Sequence, residues 1–200
     1  MITRQDYVRF HAGESLFTSD LFPEKGILGY TVRSRIPRGK IVSITLPELP
    51  EGYVAVTAGQ IPGKNRLETI DASMPYLAEK AVRYIGEPVL LLGGPDSRVL
   101  EQIADRISIE YNEEKPVFSV TDDDQTDDGS EIFDSLSCCN GLIEELSGED
   151  HTTITRKYVT GAQEHLSLES HAAVCIPGKN GITVYSSTLE PFHVKDSLSL

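Results

Sequence analysis

Val82-Arg83-Tyr84-Ile85-Gly86-Glu87-Pro88-Val89-Leu90-Leu91-Leu92-Gly93-Gly94-Pro95 is the stretch on which the fold turns. Pro88 to Leu92 is an apolar run of strand length, and Gly93, Gly94 and Pro95 are expected to break it. Beyond the break, Val99, Leu100, Ile103, Ala104 and Ile107 recur at helical spacing, with Arg98, Glu101, Gln102, Asp105 and Arg106 between them. This pattern predicts a helix with one face on a sheet and Pro95 in its first turn. Ile107 to Tyr111 then returns as a strand, so the class is mixed α and β.

Upstream, short strands dominate. Ile27, Leu28, Tyr30, Thr31 and Val32 mark one between Gly26 and Arg35, and Pro37 with Gly39 turns the chain into a second from Lys40 to Leu46. After Pro47, Pro50 and Gly52, a third run holds Tyr53, Val54, Val56 and Thr57. Downstream, Ile132, Phe133, Leu136, Cys139, Ile143 and Leu146 suggest an amphipathic helix weakened by Gly141. Thr152 to Thr160, Leu166 to Ile176 and Ile182 to Ser187 are β-prone, the last two joined as a hairpin by the turn Pro177 to Gly181. The chain then stops soon after Pro191.

Charge divides the chain. Asp and Glu outnumber Lys and Arg 31 to 18, and of the net −13, eleven acidic residues and no basic ones fall between 121 and 150. Asp122 to Asp128 offers no apolar residue to offset ordering entropy and is expected to be a solvated linker between two structural units. An acidic chain repels phosphate backbones, which argues against nucleic acid as a partner. Nor does any apolar run approach the roughly 20 residues of a membrane helix, or the continuous stretch of a signal peptide. Cys138, Cys139 and Cys175 are too few and too irregular for a disulfide framework, which fits a reducing cytoplasm.

Each candidate site in the sequence has a simpler explanation beside it. Gly59 to Asn65 looks like a phosphate-binding loop but is one residue short and ends in Asn, so an ordinary turn is expected. The echo of Ile61 to Asn65 at Ile176 to Asn180 indicates two similar turns rather than a repeat. Gly93 and Gly94 could turn backbone amides toward an anion at the start of the helix, though a plain connection is the expectation. His165, His171, Glu164 and Glu169 are usable metal ligands at a spacing that fits no common zinc motif. The acidic run lacks the Gly and terminal Glu of a calcium loop, and adjacent Cys138 and Cys139 make a poor ligand pair. No metal site is therefore expected, and the residues by themselves lead only to a soluble, acidic protein of mixed α and β structure.

The stretch Val82 to Val89 resembles the Tyr-Val-Gly-Gln-Pro-Val segment of the α/β hammerhead domain in the molybdenum-binding subunits of the xanthine dehydrogenase and aldehyde oxidase family. Upstream, Gly26-Ile27-Leu28, Arg33-Ser34 and Ile61-Pro62-Gly63 with Asn65 are similar to that domain's opening segments, in the same order. Gly161 to Glu169 resembles the stretch that opens the first cofactor-binding domain, and Ile182 to Thr188 its next strand.

The resemblance implies an α+β chain with a hammerhead domain over 1–120, an acidic linker over 121–130 and the beginning of a molybdopterin-binding domain over 131–200. It also implies a family that oxidises heterocycles or aldehydes with oxygen taken from water. Where the family ends its strand in Ser-Thr-Gln, with the Gln at the molybdenum centre, this chain has Ser187-Thr188-Leu189, and Leu189 has no donor. Glu87 replaces the usual Gln, and histidines often found after Arg33-Ser34 are missing. The glycine-rich cofactor loop and the catalytic Glu would fall beyond Leu200, and three cysteines cannot hold an iron–sulfur cluster.

The expectation is therefore a scaffolding and subunit-contact role, with no catalytic residue and no cofactor on the isolated chain. Molybdopterin is expected only in a complete family member, and the partners would be other protein subunits or a second copy. A free-standing, non-catalytic partner-binding or assembly protein is the alternative; a folded gene remnant is a third.

Overall fold

The computed structural model describes residues 4–22, 25–67, 74–116, 118 and 154–199. The acidic run and the helix expected over 132–146 lie outside them. The chain divides into two compact units, one of residues 1–122 with 169–200, the other of residues 123–168. In the second unit, residues 154–168 have no regular secondary structure and are exposed, so the strand expected over Thr152 to Thr160 does not form across 154–160. Ile154, Tyr158 and Val159 are β-prone, but strand formation needs a paired neighbour, and none stands beside them among the described residues.

The first unit is mixed α and β. Its strands are β1 (Leu28–Arg33), β2 (Gly39–Thr45), β3 (Val54–Thr57), β4 (Ala81–Val82), β5 (Pro88–Gly94), β6 (Ser108–Glu113), β7 (Ala173–Gly178) and β8 (Gly181–Ser186). Its helices are α1 (Arg4–His11), α2 (Ser97–Arg106) and α3 (Pro191–Leu198). Among the described residues three antiparallel sheets result, ordered β1-β5-β3, β4-β2-β6 and β7-β8. Among the described residues no helix is long and apolar enough to cross a membrane.

Strand β5 organises the core because both of its faces are needed. Leu90 and Leu92 point toward α2, where Leu100, Ile103 and Ala104 close over them with Val32 of β1. Val89 points the other way, into a second cluster with Ala78 and Val82. A strand covered along one face, and at Val89 on the other, reads as a nearly continuous apolar run rather than an alternating one, with Leu91 left 40% exposed. Ile44 of β2 and Ile109 of β6 pack against both clusters and tie the sheets together.

The expected break at Gly93 and Gly94 is not there. Both residues continue β5, pairing with Gly29 and Leu28 of β1, and Gly93 also with Val54 of β3. Gly94 is required for space: a Cβ there would lie 2.2 Å from the Tyr53 ring, so the ring packs where a side chain would have stood. Pro95 accordingly precedes the helix instead of opening it. Asp96 is the N-cap, its Oδ1 accepting from the backbone N–H of Arg98 at 2.8 Å and of Val99 at 3.3 Å. Asp96→Ala should cost about 1 kcal/mol in urea denaturation, while Asp96→Asn should stay within a few tenths of wild type.

The turn from β4 into β5 lies at the centre of the motif that marks the fold in sequence. Gly86 has φ +89°, a conformation other residues rarely adopt, and Arg33 Nη1 donates to its carbonyl at 2.9 Å. Ser34 N–H donates to the Glu87 carbonyl at 2.8 Å, and Gly86 N–H to the Ser34 carbonyl at 2.9 Å. The Glu87 side chain is buried and accepts from the Arg83 N–H, closing the turn from inside. A Gln could accept the same bond through its Oε1, so exchange between the two leaves that bond available.

Two helices go beyond the sequence expectation, which names no element for either. Pro191 starts α3, because a first-turn residue needs no N–H. Helix α1 is charged, and Arg4 and Val8 to His11 are exposed, without an apolar stripe strong enough to mark it in sequence. The hairpin forms as expected but is shorter: β7 begins at Ala173 rather than Leu166, and the turn is only Lys179-Asn180.

Candidate functional site

The first unit holds an open cleft of about 610 Å³, walled by Ile61, Pro62, Leu67, Tyr76, Val194 and Leu198. One wall is the segment after β3. Gln60 folds back so that its Oε1 accepts from Thr57 N–H and hydroxyl, at 2.9 and 3.1 Å, which sets Ile61 and Pro62. Asn65 then clamps the returning chain: its Nδ2 donates to the Leu77 carbonyl at 2.7 Å, and its Oδ1 accepts from Leu77 N–H at 3.0 Å. Satisfying both the N–H and the C=O of one residue in this way makes Asn65 a staple. The phosphate-loop resemblance of Gly59 to Asn65 is thus a structural turn, as expected.

Helix α3 forms the opposite wall. Val194 and Leu198 face the cleft, while Glu190 pairs with His193 Nδ1 on the rim beside Thr188 and Lys64. Upstream, Ser187 Oγ accepts from Ala172 N–H at 2.9 Å and donates to the Ala172 carbonyl at 3.2 Å, fixing the end of the hairpin. Leu189 lies just beyond this anchor and is 99% exposed.

Other sequence candidates do not assemble. Among the described residues no three of His, Cys, Asp and Glu stand together as a metal could require, so His165, His171, Glu164 and Glu169 form no centre. Glu169 instead accepts from the Thr18 hydroxyl at 3.4 Å, and Glu164 from Leu166 N–H at 3.4 Å. Gly93 and Gly94, being strand residues, present no anion site at the start of α2. Cys138, Cys139 and Asp122 to Asp128 lie outside the described residues. The cleft leaves no mark in the sequence because its walls are more than 100 residues apart in the chain, and no local pattern joins them.

Residues 127–200 match the molybdopterin cofactor-binding domain family. Over 186 residues the chain is 28% identical to a probable xanthine dehydrogenase subunit of Bacillus subtilis (strain 168), covering 88% of this chain and 25% of that one. Over 193 residues it is 28% identical to "Aldehyde oxidase 2" of Macaca fascicularis, covering 94% of this chain and 14% of the other. A solved Cu,Mo-CO dehydrogenase in the carbon monoxide reduced state superposes with a TM-score of 0.50 at 21% identity, over 57% of this chain and 15% of that one. The chain is related to the molybdopterin-binding subunits of the xanthine dehydrogenase and aldehyde oxidase family.

This chain spans a quarter or less of the length of these two xanthine dehydrogenase and aldehyde oxidase relatives. Strands β7 and β8 and helix α3 lie within the part matched to the cofactor-binding family. A phosphate-bearing pterin needs cations or N–H groups turned inward. The cleft between the Ile61–Leu67 segment and α3 has mostly apolar walls, and its charged rim is Lys64 with the Glu190–His193 pair, which is an incomplete set for such a group.

Proposed function

We propose that this chain serves as the hammerhead domain (1–120), acidic linker (121–130) and opening of the cofactor-binding domain (131–200) of a molybdenum hydroxylase large subunit. Its work there is scaffolding and contact with other subunits, in a reducing cytoplasm, and not the oxidation itself. The observation carrying this reading is similarity that runs through 88% or more of the chain yet meets only a quarter or less of two relatives. Two relatives bear names that place them in assemblies: the probable xanthine dehydrogenase subunit of Bacillus subtilis, and the gamma subunit of the 6-hydroxypseudooxynicotine dehydrogenase complex of Paenarthrobacter nicotinovorans.

Leu189 favours a second reading, a free-standing non-catalytic relative that binds a partner or assists assembly. A leucine side chain cannot donate to a metal-bound oxygen, and this one is exposed. Either reading places no molybdopterin on the isolated chain. The full 200-residue chain, produced in cells that make the cofactor and analysed by elemental mass spectrometry, should hold far less than one molybdenum per chain. Stoichiometric molybdenum would overturn both readings.

A further inference from the structure

The pentapeptide Ile-Pro-Gly-Lys-Asn occurs at Ile61 to Asn65 and again at Ile176 to Asn180, and its two asparagines are held very differently. Asn65 is followed by Arg66, and both ends of its carboxamide are engaged, Nδ2 with the Leu77 carbonyl and Oδ1 with the Leu77 N–H. Asn180 is followed by Gly181, and among the described residues its carboxamide makes no hydrogen bond. It stands exposed in the two-residue turn between β7 and β8. Asn140 also precedes a glycine but lies outside the described residues.

The turn that holds Asn180 closes poorly. Ser187 N–H donates to the Ala172 carbonyl at 3.1 Å, and bonded pairs alternate with non-bonded ones along an antiparallel ladder. Counting in alternate steps from there, the bonded pairs are Val174 with Tyr185, Ile176 with Thr183 and Gly178 with Gly181. Pro177, which has no N–H, falls on a non-bonded pair, in agreement with that phase. The Gly181 N–H therefore donates to the Gly178 carbonyl across the turn. Turns that match the twist of a two-residue hairpin need positive φ at one or both loop residues. Neither Lys179 nor Asn180 has it, and Gly181 takes φ +138° instead. A loop of this kind splays its strands, so the closing bond opens readily.

We infer that Asn180 is a site of spontaneous conversion to isoaspartate and aspartate. With the turn open, the Gly181 nitrogen gives its proton to solvent base and attacks Asn180 Cγ. A bond from that nitrogen to Cγ forms, the Cγ–Nδ2 bond breaks, and Nδ2 takes up a proton and leaves as ammonia. The five-membered imide that results is opened by water. Cleavage of the new bond to Cγ gives aspartate, whereas cleavage at the Asn180 main-chain carbonyl carbon routes the chain through Cβ and Cγ, which is isoaspartate. The lack of a Cβ on Gly181 leaves the attacking nitrogen uncrowded. Both products add a carboxylate, and isoaspartate lengthens the loop by one main-chain carbon, so the Gly178–Gly181 bond cannot reform in its former geometry. The reaction rests on this turn and is independent of any role in a hydroxylase subunit.

The test is to hold the full chain, reduced, at mildly alkaline pH, digest samples at intervals and follow the peptides by mass spectrometry. The carboxamide of Asn180 should be lost roughly tenfold faster than that of Asn65, or more. Isoaspartate, detected through labelling by an isoaspartyl methyltransferase, should exceed aspartate among the products. Gly181→Ala should slow the loss by roughly tenfold, because it crowds the attacking nitrogen. It should do so even though alanine at φ +138° strains the turn toward opening. Should that variant not fold, the comparison of Asn180 with Asn65 within one wild-type molecule still decides the matter. Equal persistence of the two carboxamides, aspartate as the sole product, or loss undiminished by Gly181→Ala would each overturn the inference.

Discussion

Leu92→Ala is expected to destabilise the first unit by about 2–5 kcal/mol, the range for a large aliphatic removed from a core that cannot collapse around the space. Leu92 is fully buried in the middle strand of its sheet, packed under α2. The neighbouring Leu91 points to the opposite face and is 40% exposed, so Leu91→Ala should cost well under about 1.5 kcal/mol. Urea denaturation of the two variants compares adjacent, chemically identical residues. Equal losses would mean that β5 does not place its faces as described. Against a total stability of about 5–15 kcal/mol, the larger loss also predicts markedly lower yield of folded protein.

The second large effect falls on Gly94. Gly94→Ala puts a methyl group into space the Tyr53 ring occupies, and overpacking of this kind typically costs about 1–3 kcal/mol. If the ring is the cause, Tyr53→Ala should remove the penalty, so the double variant should be more stable than the sum of the two single losses implies. Strict additivity in a double-mutant cycle would place the cost elsewhere, for example in strand pairing.

The fate of Gly93-Gly94-Pro95 shows what the sequence could and could not reveal. Strand β5, helix α2 and strand β6 are all legible, because a buried strand is continuously apolar and a half-buried helix repeats every three to four residues. The glycines look like a break because local propensity cannot foresee a tyrosine 41 residues earlier in the chain packing across them. Asp96 escapes notice as a cap for a related reason: with the strand ended too early, Pro95 takes the place of the helix start. Helix α3 goes unread because its eight residues from Pro191 are too few to show a clear helical period.

The cleft is less legible still. Asn65 is visible as part of a turn, but its clamp on Leu77 is a main-chain contact twelve residues away, with no side-chain signature at the far end. Family resemblance carries information that periodicity does not. It marks Glu87 as a residue of note without reference to its burial, and the turn that Glu87 closes joins the two sheets. Resemblance also singles out Leu189, where the chemistry of one side chain bears on whether this polypeptide supplies a group to a metal centre.

The most direct test of a scaffolding and subunit-contact role is the native mass of the species carrying this sequence in its source cells, detected with an antibody against the chain. The expected result is an assembly well above 22.0 kDa that contains further polypeptide, either continuous with this chain or bound to it. A species containing only copies of the 22.0 kDa chain would contradict that role.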